Sequence, residues 1–375
     1  MDQSVSQTGF FERKLPSRII LLSFPLLTVP LTAALTFTTD HRFLFLYIWL
    51  FGLTHFVLTI SVYLQSENLR HFAASSRNML LFFAIPLAIL IAFYVIGVLQ
   101  LRSRFPAFAL VFGAAVRLLD FNHLNRQTFG VYQLFKARGG IRSTPAMKRV
   151  EQGYLAALTA LLFATFLAGG VCPLFRRDVS YTLDAAHNKL ANALLPIGFL
   201  QPAFVALLCV AGVLGTLCVG LAIRAWRTEG RPGGLSQALG YLGFQTAGAL
   251  FAVVSMPMYF ASLAIHYVEY HVLMFPRCFH SKLDDRSLLD RAFARLRRRP
   301  PVFYAVVAGA ALVVLLCTNS SGMVEASTRY VSIIYIFDGL FVFHYFVEML
   351  IWRFSDPFFR RTLTSLYFVP RLRTS

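Results

Sequence analysis

The chain has 375 residues, 57% of them hydrophobic and 14% charged, with a mean hydropathy of +0.63. That balance excludes an ordinary soluble domain, which is roughly half apolar and about a quarter charged. A net charge of +18 would point to nucleic acid in a soluble chain, but here the arginines fall between apolar runs and point instead to membrane topology and lipid headgroups, with no nucleic-acid partner.

Apolar runs of about twenty residues recur along the whole length. They predict ten transmembrane helices, at about 18–38, 43–65, 78–100, 105–134, 151–172, 197–226, 236–255, 257–279, 301–318 and 331–353. An N-terminal segment, 1–17, expected in the cytoplasm, precedes them, and a basic loop (277–300) and a basic tail (354–375) punctuate and end the series. The expectation is one all-α, polytopic integral-membrane helical bundle over 1–375, without a separate soluble domain. The first run is long and no small-residue cleavage site follows it, so it reads as a retained helix. The seventh and eighth runs meet at Ser255-Met256-Pro257, where proline removes a backbone donor and favours a break; the alternative is one long kinked helix followed by a re-entrant piece. The loop 277–300 alternates Arg with Asp and Leu and reads as a short interfacial helix. The five cysteines form no CxxC pair and read as small apolar packing residues.

Positive residues resist translocation and mark the cytoplasmic side. With the N-terminus inside, ten spans place 26 of the 35 Lys and Arg residues in inner segments and 7 in outer ones, leaving Arg117 and Arg126 within the fourth span. Both termini are therefore expected in the cytoplasm.

Four of the runs carry a histidine near the middle: His55, His123, His266 and His344. Ionisable groups in hydrocarbon are costly and usually face a bundle interior, where they do chemistry or conduct protons. All four lie in even-numbered spans, which run from outside to inside, at about 12, 18, 9 and 13 residues from their outer ends. At about 1.5 Å per residue these depths range from mid-membrane to the inner half, so the imidazoles can converge on one point. Carboxylates accompany them. Asp120, His123 and Gln127 share a helical face, as do His266 with Glu269 and His344 with Glu348. His271 lies about 140° around the helix from His266 and is expected outside the same ligand set. Asp120 either joins the site or pairs with Arg117. His71, at the inner end of the second span, either closes the site from below or stands apart.

Neutral imidazoles plus a carboxylate, with positions left open, suit non-haem iron, and manganese or zinc would also fit. His55, His123, His266, His344 and Glu269 are the expected metal ligands. Glu348, Asp120 and Gln127 are expected to orient imidazoles or move protons, and Tyr270, Tyr345 and Thr59 to supply outer hydrogen bonds. Trp352 with Arg353 reads as an interfacial anchor. A b-type haem is disfavoured, because the fourteen-residue pairs His41/His55 and His266/His280 each place one member outside the membrane.

The strings His123-Leu124-Asn125-Arg126-Gln127-Thr128-Phe129-Gly130, His266-Tyr267-Val268-Glu269-Tyr270-His271 and His344-Tyr345-Phe346-Val347-Glu348-Met349-Leu350-Ile351-Trp352-Arg353 resemble motifs of bacterial polytopic membrane proteins. In layout they are similar to the Brp/Blh carotene-cleaving dioxygenases. That resemblance implies a bacterial inner-membrane protein with His55, His123, His266 and His344 as iron ligands, although this chain carries more carboxylates near its histidines. The HxxxH and HxxHH boxes of fatty-acid desaturases are absent. The expected function is a membrane non-haem iron oxygenase, desaturase or hydroxylase acting on a lipid-soluble substrate such as a lipid or carotenoid. Hydroxylation or desaturation would require an external electron donor. The alternative is a proton-coupled transporter or channel using the buried His, Glu and Asp as a relay.

Overall fold

The computed structural model describes residues 48–170, 172–175, 197–230, 232–254, 256–279, 281, 283–284, 286–323, 335–353 and 356–367, with 26, 30 and 34. The expected segment 1–17, nearly all of the first span, most of the outer loop before residue 197 and the tail beyond 367 lie outside the described residues. The described residues form helices and contain no strand.

In chain order, a π-helical turn, Ile48–Leu53, leads into α1, Thr54–Tyr63, followed by α2, Ser66–Ala73. Then come α3, Ser76–Val98, α4, Pro106–Arg138, and α5, Pro145–Leu167. Next are α6, Ile197–Glu229, α7, Gly234–Ala252, and α8, Met256–Phe279. The series ends with α9, Leu288–Arg297, α10, Pro300–Met323, α11, Tyr335–Ile351, and α12, Pro357–Tyr367. Four of these, α3, α4, α5 and the Gly198–Thr228 part of α6, are long and apolar enough to cross a membrane, and α9 with the start of α10 forms a bent fifth candidate. Helix α8 has the length, at 24 residues, but is not among those candidate spans.

Local sequence accounts for many of the boundaries. Helices α4, α5, α10 and α12 begin on proline, which suits a first turn whose N–H needs no partner. Ser75 and Thr144 cap α3 and α5 by accepting from the N–H of Asn78 and Met147, each at 3.2 Å. The expected break between the seventh and eighth runs is present, as α7 ends at Ala252 and α8 begins at Met256. The basic loop contains a short helix, α9.

The chain groups into two compact units: 1–20, 40–99 and 267–375 form the first, and 21–39 with 100–266 the second. In the first, α11 packs on α3, and α10 packs on α1 and its π-helical turn. Leu53, Ala311, Val314 and Leu315 form a core there, covered by Val57, Leu340 and Phe341. In α3, Pro86 cannot donate to the carbonyl four residues back, and that carbonyl, of Phe82, accepts the Tyr63 hydroxyl. In the second unit, α5 packs on α4 and α6, and α7 packs on α4. The backbones of Gly139 and Gly234 meet closely there, for a Cβ built on Gly139 would lie 2.8 Å from the Gly234 Cα.

Candidate metal centre

The first unit brings together His55, His344 and Glu348. His55 stands at the start of α1, directly after the π-helical turn, a departure from regular geometry that often accompanies functional positions. Its Nε2 lies 3.0 Å from the Nε2 of His344 on α11. The same His344 nitrogen is 3.2 Å from Glu348 Oε2, one helical turn further along. At such distances one of the two ring nitrogens presents a lone pair, since neutral imidazole carries a single N–H. His55, His344 and Glu348 are between 1% and 7% exposed, so three ligand-type atoms face one another away from water.

Aromatic rings hold these imidazoles in place. The rings of Tyr267 and Tyr270, on α8, have centroids 4.9 and 5.1 Å from that of His55. Phe56 lies 5.3 Å from His344. The Tyr270 hydroxyl is hydrogen-bonded to Thr59 Oγ1, one turn after His55, so the two groups expected to bond outward to the imidazoles bond to each other. Glu269, beside Tyr270, is buried. His271 faces elsewhere. Its Nε2 lies 3.1 Å from Thr54 Oγ1, whose own hydroxyl donates to Leu50 O at 2.6 Å, so the imidazole is the donor. His71 is 3.6 Å from Asp356 Oδ2 and stacks on Phe358 at 4.0 Å, which ties it to α12.

The second unit pairs His123 of α4 with His266 of α8, whose ring centroids are 5.2 Å apart and nearly perpendicular. Gln127 Nε2 donates to the His266 carbonyl at 3.3 Å, so it fixes α4 against the α8 backbone. Of the two roles open to Asp120, the pair with Arg117 is present at 3.2 Å. The same Asp120 oxygen accepts the Tyr259 hydroxyl at 2.7 Å.

Sequence reading did not single out three groups. Lys136 is fully buried and paired with Glu151 across the α4–α5 turn. Gln133 Nε2 donates to the other Glu151 oxygen at 2.6 Å, and Ser143 donates to Gln133 Oε1 at 2.7 Å. In the first unit, Arg277 is buried, donates to the Ile351 carbonyl at 3.1 Å and lies 5.2 Å over the Trp352 ring. Trp352, expected as an interfacial anchor, thus also serves as a platform for a buried guanidinium. Asp290 is buried in the basic loop. A proline-framed, charge-rich stretch gives no periodicity from which such long-range partners can be read. No family model, curated protein or solved structure matches the chain.

Proposed function

We propose that this chain is an integral-membrane metalloenzyme whose centre is built on His55, His344 and Glu348. The observation that carries the reading is the approach of two imidazole nitrogens and a carboxylate oxygen, at 3.0 and 3.2 Å, in a buried site. Ligands about 2.1 Å from a common ion are roughly 3.0 Å apart at right angles and roughly 3.4 Å apart in a tetrahedron. Both separations fall in that range. Two histidines and one carboxylate with open positions suit a non-haem iron, and manganese or zinc shares the donor preference. Bound there, iron would supply oxygen chemistry toward a lipid-soluble substrate such as a lipid or carotenoid, with an external electron donor where the reaction is a hydroxylation or desaturation. Glu269, in the same unit, is a further ligand candidate, while His123 and His266 pair with each other in the second unit. Asp120 and Gln127 act as positioning groups through Tyr259 and the His266 backbone. The same reading takes ten spans, both termini in the cytoplasm and the inner membrane of a bacterium.

Elemental mass spectrometry on detergent-purified protein from iron-supplied cells tests this, with His55→Ala/His344→Ala and His123→Ala/His266→Ala compared alongside. One or more equivalents of metal, lost in a folded His55→Ala/His344→Ala protein, is the expected result. Background metal in the wild-type protein would sink the reading. The same Nε2-to-Nε2 contact favours a second reading, since His55, His344 and Glu348 form a hydrogen-bonding string suited to a proton relay. That reading expects background metal together with proton flux in liposomes, abolished by His344→Ala.

A further inference from the structure

Helix α9 lies in the basic loop and belongs to the first unit. One side of it is fastened. Ser287 caps its start by accepting from the Asp290 N–H at 3.3 Å. The buried Asp290 carboxylate accepts the backbone N–H of Ser66 at 3.0 Å and of Asp284 at 2.7 Å. Arg297 donates to the Ser281 carbonyl at 2.7 Å, and Phe293 meets Phe303 edge-on with ring centroids 5.5 Å apart. At 100° per residue, Asp290 and Arg297 point one way and Leu288, Ala292 and Arg295 point the other. The outward side is exposed, with Leu288 76% and Leu289 54% accessible, and Arg291, Arg295 and Arg299 exposed beside them.

The axis of α9 is turned 117° from the first part of α10. If α10 runs along the membrane normal, α9 lies within about 27° of the membrane plane. We infer that the outward face of α9 is a docking surface for anionic phospholipid headgroups of the bilayer that α10 enters. Leu288 and Leu289 would sit at the acyl boundary, while Arg291, Arg295 and Arg299 take phosphates. Guanidinium groups match phosphate oxygens with paired N–H donors. A helix whose apolar and arginine residues share one outward face gains both from apolar burial and from attraction to an anionic leaflet. The polar fastening of its other side through Asp290 holds that face in one orientation. This inference does not depend on a metal.

The test uses the full chain in nanodiscs of phosphatidylcholine, with or without an equal amount of phosphatidylglycerol, and follows amide hydrogen exchange across Leu288–Arg297. Each arginine near an anionic surface is worth about 1 kcal/mol, roughly a fivefold change in opening. Exchange in the anionic discs should therefore slow at least tenfold. The slowing should vanish in raised salt and in Arg291→Gln/Arg295→Gln/Arg299→Gln, while amides of α10 exchange as in wild type. Equal exchange in the two kinds of disc overturns the inference. Slowing that needs an added acidic protein, and occurs equally in neutral discs, also overturns it and assigns the face to that protein.

Discussion

Glu348→Gln separates a metal centre from a hydrogen-bonded pair, because glutamine keeps the volume and hydrogen-bonding capacity of glutamate while removing its charge. In the hydrogen-bonded reading, a glutamine facing His344 Nε2 from 3.2 Å can still donate or accept, and little changes. In the metal reading, the substitution removes an anionic ligand. Groups that only orient a ligand cost 10- to 100-fold in affinity when lost, so a direct ligand should cost at least about 100-fold. That corresponds to about 2.7 kcal/mol of stabilisation by bound metal. In chelator-treated protein that difference disappears. Glutamine keeps the volume and the contact to His344, so the two metal-free forms should differ by no more than about 1 kcal/mol.

The assay is therefore a thermal melt of wild type and Glu348→Gln, each with saturating ferrous iron and with chelator, beside a metal titration. The variant should melt below wild type with metal and alongside it without. Parallel shifts of the same sign in both conditions, with equal metal affinity, would refute the assignment of Glu348 to the centre.

Tyr270→Phe removes the hydroxyl bonded to Thr59, one turn after His55, and should lower metal affinity by up to about 10-fold, the lower end for groups that orient a ligand; unchanged affinity in the titration would remove Tyr270 from any positioning role. Lys136→Met should destabilise by about 3–5 kcal/mol, because it leaves the Glu151 carboxylate buried without its cation. Lys136→Met/Glu151→Gln should recover most of that loss in detergent unfolding, and additive single effects would contradict the pairing. Gly139→Ala should cost about 1–3 kcal/mol, since its Cβ would press on the Gly234 backbone at 2.8 Å. Gly113→Ala meets nothing within 4 Å and should be neutral or stabilising by up to about 1 kcal/mol in the same measurement.

The sequence features that proved legible are those whose partners lie within a few residues. Among the described residues the long apolar runs became helices, the proline near residue 257 marked a real break, and the alternation in 277–300 became α9. His344 with Glu348, and Arg117 with Asp120, are one-turn neighbours, and their spacing alone announced the contact. The approach of His55 to His344 spans 289 residues. Only the shared depth of the two histidines suggested it, because depth is what a membrane adds to sequence. Tyr259, which donates to Asp120 from 139 residues away, had no such marker.

Charge counting failed in a more instructive way. It treats every Lys and Arg near a span end as solvated, yet Lys136 is sealed against Glu151 and Arg277 is buried between the Ile351 carbonyl and Trp352. Both long side chains can reach inward from a helix end, and composition cannot distinguish that from an outward path. Removing the two from the inner tally leaves 24 against 7. The asymmetry behind the proposed orientation therefore rests on the remaining arginines and lysines, among them the exposed series in and just after α9. Arg291, Arg295 and Arg299 thus bear on two questions at once: they weight the basic loop toward the cytoplasm, and they form the face inferred to take anionic headgroups. Reversing their charge should weaken both effects together, whereas changing Lys136 or Arg277 should alter stability and leave orientation as it was.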